Sequence, residues 1–359
     1  MFKSSSKFQR VKHKRKENIW QLFHATDFES LMYPCFTFCR ILGIFPCKIK
    51  ASTIKTYKQG PFRSIAFTCS FCICELIAGY VISGLKMNTH DNTPMELWSD
   101  CFYILSSFIV VVTFILSKSR MRLIQTLLEL SLRLPLKSYQ NLSRLIHVKD
   151  ILGFFIAVGI VLMMAIKSRY PLIYINVLYI NLFTFQMDML YMNCVCVLKA
   201  CFKQVNDNLA NLQKFVVNDK PYVLRRTYHK ERNLFLLMEI KALKKQHLVI
   251  SDTVQMLNMI FSLQLLTTIT MAFVHVTFIL YFYLRHWKIG MVTDNLDDQN
   301  YDTTCIIIII YHSIKLIMIV WTCESGKNQA AEINITVHNV LNSSRNEEIK
   351  YEVVLKYIT

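Results

Sequence analysis

Six long apolar runs limit what this chain can fold into: residues 62–85, 101–116, 151–166, 170–198, 262–284 and 304–321. Each approaches the ~20 residues that carry a helix across the ~30 Å hydrocarbon layer of a bilayer. With no water at hand, a backbone in lipid must satisfy its own hydrogen bonds, so only helices and closed barrels can span it. A barrel would read as many short alternating strands, whereas these runs are long and unbroken. The expected fold class is all-α, a polytopic membrane helical bundle with six spans. The fourth run is longer than a bilayer requires and should tilt or project past it. Composition agrees: 53% of the 359 residues are hydrophobic and only 18% are charged, against ~25% charged in an ordinary soluble domain.

The segments between the runs alternate in charge. Thirteen Lys and Arg precede the first span or open it, through Arg63. The next loop has Lys86 against Asp91, Glu96 and Asp100. Lys118, Arg120, Arg122, Arg133, Lys137, Arg144 and Lys149 follow the second span, and only Lys167 and Arg169 follow the third. Residues 199–245 hold eleven cations, whereas the loop after the fifth span sets Arg285 and Lys288 against Asp294, Asp297 and Asp298. The positive-inside rule then places the N-terminus in the cytosol, and six spans return the C-terminus to the same side. The net charge of +17 is absorbed by these loops, and no nucleic-acid partner is expected. The sequons at Asn141, Asn334 and Asn342 all fall on the cytosolic side and should stay unmodified. No apolar core follows the basic N-terminus, so the first span itself must direct insertion.

Three regions follow: a cytosolic segment over 1–61, the helical bundle over 62–322, and a cytosolic helical segment over 323–359. Within the bundle, residues 202–252 form a polar link. Leu234, Leu237, Ile240, Leu243 and Leu248 recur there at helical spacing. The link is too short to bury a core alone, so it is expected to extend the fourth and fifth spans into a cytosolic helical anchor.

Chemistry is sparse. Phosphate-cradling, zincin and nucleophile-elbow motifs are missing from the sequence, as is an arginine ladder of the voltage-sensing kind, and neither catalysis nor a cofactor is expected. The twelve cysteines show no zinc-like pairing. Most read as small buried hydrophobes, although Cys101 and Cys305 are both placed near the outer surface, where a disulfide could join them. Ionisable residues inside spans are expensive and mark functional positions. Glu75, Asp188 and Lys315 are the three, and Lys315 is expected to pair with Glu75 or Asp188 or to face a watery cavity. Tyr and Trp anchor at headgroup depth, which accounts for Tyr170, Trp287 and Tyr301. Tyr103, Tyr174, Asn176, His275, Tyr281, Tyr311 and His312 crowd the outer halves of the spans. Most lie deeper than such anchors and are candidates for the wall of a small-molecule pocket, offering flat faces and directional hydrogen bonds.

Several stretches carry a resemblance. "FESLMYPCFTFCRILGIFP" (28–46), "LQLLTTITMAFVHVTFILYFYL" (263–284) and above all "NQAAEINITVHNVLNSSRNEEIKYEVVL" (328–355) resemble the insect gustatory receptor family, near its sugar-sensing and broadly tuned branch. The resemblance implies a tastant-gated cation channel of the plasma membrane. Its subunits assemble as a homo- or hetero-tetramer with other gustatory receptors, and its ligand is a sugar or a bitter compound. Members resemble one another in a seventh span with a T-Y…Q-F motif that lines the pore, and the sequence ends at "KYIT" before any such motif. That ending leaves a non-conducting regulatory subunit as an alternative. A small-solute transporter is a further one, although the two halves show no repeat.

Overall fold

The computed structural model describes residues 23–44, 47–50, 53–56, 70, 77, 93–167, 171–217, 226–290 and 296–343. Seven helices are bounded there: α1 (Phe28–Ile41), α2 (Thr93–Ile115), α3 (Ser117–Ser131), α4 (Leu136–Lys167), α5 (Pro171–Val217), α6 (Arg226–Gly290) and α7 (Leu296–Ser343). One element was not anticipated. A two-stranded antiparallel hairpin, β1 (Cys47–Lys50) and β2 (Thr53–Thr56), follows α1 with Ile49 opposite Ile54. The first expected span, 62–85, lies outside the described residues apart from 70 and 77.

Local chemistry sets the ends of α1. Asp27 caps its N-terminus: Oδ1 accepts from the Ser30 amide at 2.8 Å, while Ser30 Oγ accepts from the Asp27 amide at 3.1 Å. This reciprocal pair satisfies two orphan donors. At the other end Gly43 takes φ 72°, the left-handed turn that glycine adopts without steric cost. The amides of Gly43 and Ile44 then return to the carbonyls of Arg40 and Cys39, a Schellman closure.

Among the described residues, four helices contain segments long and apolar enough to cross a membrane: Glu96–Ile115, Leu136–Ile166, Leu234–Arg285 and Thr303–Val340. The helix that carries the fourth expected span, α5, is not one of them, and its place in the bundle explains why. It packs against α4, α6 and α7 together, and every residue from 182 to 194 is buried. A helix shielded from lipid on all sides need not be apolar throughout, provided its polar groups find partners. Gln186 Nε2 donates to the Cys35 carbonyl at 3.1 Å, and Asn193 Nδ2 to Asp150 Oδ2 at 2.7 Å. Asp150 also pairs with Lys149 at 2.6 Å. Gly153 admits this closeness, since a Cβ there would sit 2.4 Å from Cζ of buried Phe185.

Polar hooks dock α1 onto the same centre. His147 bridges the Leu31 carbonyl at 3.0 Å and the Phe23 amide at 3.2 Å. The Tyr179 hydroxyl donates to the Leu42 carbonyl at 3.0 Å, and the rings of Phe38 and Phe154 stack at 4.2 Å. A second tie joins the α2–α3 bend to α6. Fully buried Arg120 donates through Nη1 to the Thr113 carbonyl at 2.8 Å and through Nη2 to Gln264 Oε1 at 3.2 Å, with Phe261 facing its guanidinium at 5.2 Å. Burial draws its pKa down to about 9, which leaves it cationic at neutral pH.

The apolar stripe of the link holds in the main: Ile240 and Leu243 are buried and Leu237 and Leu248 partly so, but Leu234 is exposed and Leu236 and Ile250 complete the packed face of α6. The disulfide that could have joined Cys101 and Cys305 is not formed, Cys305 being buried in a small cluster with Ile279 and Ile308. As expected, α5 and α6 run on well past the bilayer-length runs, over 47 and 65 residues.

Candidate functional site

Helical spacing turns three sets of polar and aromatic residues into one interior seam of the bundle. On α6 these are Gln264, Thr268 and His275, at steps of four and seven. On α7 they are His312 and Lys315, one turn apart, and on α2 they are Trp98 and Phe102, also one turn apart. All but Trp98, which is half-buried, are buried.

At the centre, the imidazoles of His275 and His312 stack with centroids 5.0 Å apart and planes 17° apart. Trp98 meets His275 edge-on at 5.7 Å, and Phe102 does so at 5.4 Å. Tyr311 closes the other side, 5.3 Å from His312. One turn beyond His312, Lys315 Nζ lies 3.0 Å from Asp188 Oδ2 of α5, with the Thr268 hydroxyl beside that carboxylate. The walls are aromatic and the floor is the Lys315–Asp188 ion pair.

Among the described residues, three polar atoms at the aromatic centre have no hydrogen-bond partner, Trp98 Nε1, His275 Nε2 and His312 Nδ1, and below them Thr268 Oγ1, Gln264 Nε2 and Asp188 Oδ1 have none either. A buried polar atom left unpaired costs about 1–3 kcal/mol. Three of them at one aromatic centre form a ready set of handles for a ligand. Among the described residues no three His, Cys, Asp or Glu side chains converge as a metal would require.

The candidate residues divide. His275, Tyr311 and His312 meet, and Lys315 and Asp188 are adjacent below them. Tyr281 lies outside this centre, 45% exposed on a groove of about 390 Å³ between α2 and α6 that is also lined by Pro94, Leu97, Thr277 and Phe278. Tyr103 packs on the main core with its ring against Phe102, 5.5 Å away. Asn176 Nδ2 is buried without a described partner near the start of α5, and no described contact joins it to the histidines. Tyr174 is on α5 with its side chain outside the described residues, and Glu75 lies outside them altogether.

Trp98, Phe102, Gln264 and Thr268 were not among the residues that the sequence singled out. The four-residue interval from Trp98 to Phe102 was the available signal, since it puts both on one helical face.

The geometry can be set beside known proteins. The model of the 7tm chemosensory receptor family matches residues 32–353. Among curated proteins no sequence matches. The solved structure of the insect olfactory receptor OR5 from Machilis hrabei is similar, with a TM-score of 0.61 at 10% identity, covering 91% of this chain and 88% of that one. At such identity the likeness shows a shared fold. With the family match running through nearly all its helices, this chain is a multi-pass membrane protein that belongs to the 7tm chemosensory receptor family.

Proposed function

We propose that this chain is a gustatory receptor, a subunit of a tastant-gated cation channel in the plasma membrane. Its ligand seats on the stacked His275–His312 pair. The observation that carries this reading is the trio of unpartnered polar atoms, Trp98 Nε1, His275 Nε2 and His312 Nδ1, inside an aromatic cage. The stretches over 28–46, 263–284 and 328–355 favour the gustatory branch over the olfactory one. The charge alternation favours a cytosolic N-terminus, which sets the cage in the outer half of the membrane. The subunit works in a tetramer with other gustatory receptors. A ligand opens such a channel only by binding the open arrangement better than the closed one.

The test is calcium imaging of cells that express the full chain, alone and with other gustatory receptors, against a panel of sugars, bitter compounds and odorants. A tastant response that His275→Ala and His312→Ala each weaken at least tenfold in EC50, at unchanged surface expression, is expected. Responses confined to odorants would refute the gustatory reading. Unaltered potency in both variants would refute the site.

A further inference from the structure

The groove between α2 and α6 and the histidine cluster share the same two helices at the same level. Leu97 lines the groove, and Trp98, the next residue, lies against His275. Thr277 and Phe278 line it from α6, two and three positions beyond His275. Trp98 therefore stands between the groove and the buried cage, edge-on to His275 at 5.7 Å and to Phe282 at 6.4 Å.

The groove is open outward and offers little to a polar visitor. Leu97 is 57% exposed. The Thr277 hydroxyl is turned back onto the Phe273 carbonyl of its own helix at 2.9 Å, which leaves the Tyr281 phenol as the polar group of that wall. The flanking surfaces of α2 and α6 present Ile104, Phe273 and Leu280 outward, so in a membrane the mouth opens on lipid. Its 390 Å³ lies within the ~300–1,000 Å³ range of small-molecule sites.

The cage imposes a matching limit. A hexose carries a hydroxyl on nearly every carbon, each a donor and an acceptor. Every hydroxyl buried without a partner costs about 1–3 kcal/mol. The unpartnered atoms among the rings, with Thr268 Oγ1 and Asp188 Oδ1 beneath them, are too few to satisfy such a molecule, and one so hydroxylated does not partition through a groove that opens on lipid. They suit a flat apolar body with one or two hydrogen-bonding groups, whose face stacks on the rings.

We infer that the ligand is a membrane-partitioning amphipathic molecule of this kind, and that it reaches the His275–His312 pair from the bilayer through the α2–α6 groove, past Trp98. This rests on the cluster being the ligand site. It narrows the ligand class from tastants in general to apolar ones and excludes sugars.

The test uses 4-hydroxybenzophenone, a photoreactive probe with flat rings and one hydroxyl, on the full chain in phosphatidylcholine nanodiscs. After illumination the labelled peptides are mapped by mass spectrometry. Label is expected around Trp98 and His275, displaced by 2-phenylethanol and untouched by glucose. Thr277→Trp and Leu97→Trp fill the groove from opposite walls. Each is expected to cut labelling of the cage at least tenfold, while Thr270→Trp, an exposed position elsewhere on α6, leaves it unchanged. Gel filtration of each variant confirms that it is folded. Full labelling in both groove variants would overturn the route. Displacement by glucose, or no label at the cage in the unaltered protein, would overturn the ligand class. Labelling as expected in a protein that responds to no tastant would count against the channel reading and leave this inference standing.

Discussion

Removing one partner of the Lys315–Asp188 pair should harm the protein far more than removing both. At 3.0 Å and an effective dielectric constant of ~20, two opposite charges attract by about 5.5 kcal/mol. Taking the two ions out of water costs several kcal/mol each, so the intact pair contributes little net stability. A single truncation strands the other charge in the interior, which costs about 3–5 kcal/mol. Lys315→Met and Asp188→Leu should each show that loss, while the double variant, with apolar side chains facing each other, should fall near the unaltered protein or above it. Each kcal/mol shifts the melting temperature by about 2–4 °C in chains of 150–250 residues, and the longer chain here puts it at about 1–2 °C. The assay is thermal melting of detergent-solubilised protein followed by gel filtration. The single variants should melt roughly 3–10 °C lower, and the double variant within about 2 °C of the unaltered protein. Losses that simply add in the double variant would refute the pairing, because residues in contact must show a coupling energy.

Further outcomes follow from packing and topology. Gly153→Ala should destabilise by about 1–2 kcal/mol, because its Cβ would meet Phe185 Cζ at 2.4 Å in a core that cannot yield; Gly159→Ala, with nothing within 4 Å, should be neutral or gain up to ~1 kcal/mol. The same melting assay separates the two. Arg120→Lys keeps the charge but loses the fork that reaches Thr113 and Gln264 together, and should cost about 1–3 kcal/mol, read as a lower melting temperature. Asn141, Asn334 and Asn342 should carry no glycan in insect cells; a mass shift on glycosidase treatment would reverse the proposed orientation.

Depth along a helix was legible in the sequence, whereas rotation about its axis was harder to read. His275 and Tyr281 are six residues apart, which at about 100° per residue sets them about 120° apart around α6. One faces the cage and the other the groove rim. Depth also left Glu75 and Asp188 as equal partners for Lys315, and it was the packing of α5 on α7 that brought Asp188 to it. The stripe on the link held at Leu237, Ile240, Leu243 and Leu248 and missed only at its first position, where Leu236 packs and Leu234 is exposed, because over a 65-residue helix the buried face shifts with its neighbours. The apolar run over 170–198 was plain to see. Its centrality was hidden, because Gln186, Asp188 and Asn193 lower its hydropathy for the very reason that they never meet lipid.

These polar residues also tie the cage to the rest of the bundle. Gln264, Thr268 and His275 lie on one side of α6 and face three different partners: Arg120 at the α2–α3 bend, the Asp188 carboxylate on α5, and His312 on α7. A helix turns as a rigid body over these eleven residues. A ligand that favours another azimuth of His275 must therefore also strain the Arg120–Gln264 hydrogen bond. A hydrogen bond to a charged group contributes about 1.5–3 kcal/mol, comparable to the 1–3 kcal/mol of coupling that links two sites in an allosteric protein. One such bond is enough to join occupancy of the cage to the position of the α2–α3 bend. Arg120→Lys, which weakens the bond without touching the cage, should therefore change ligand response and melting temperature together, whereas His275→Ala should change response with a smaller effect on melting.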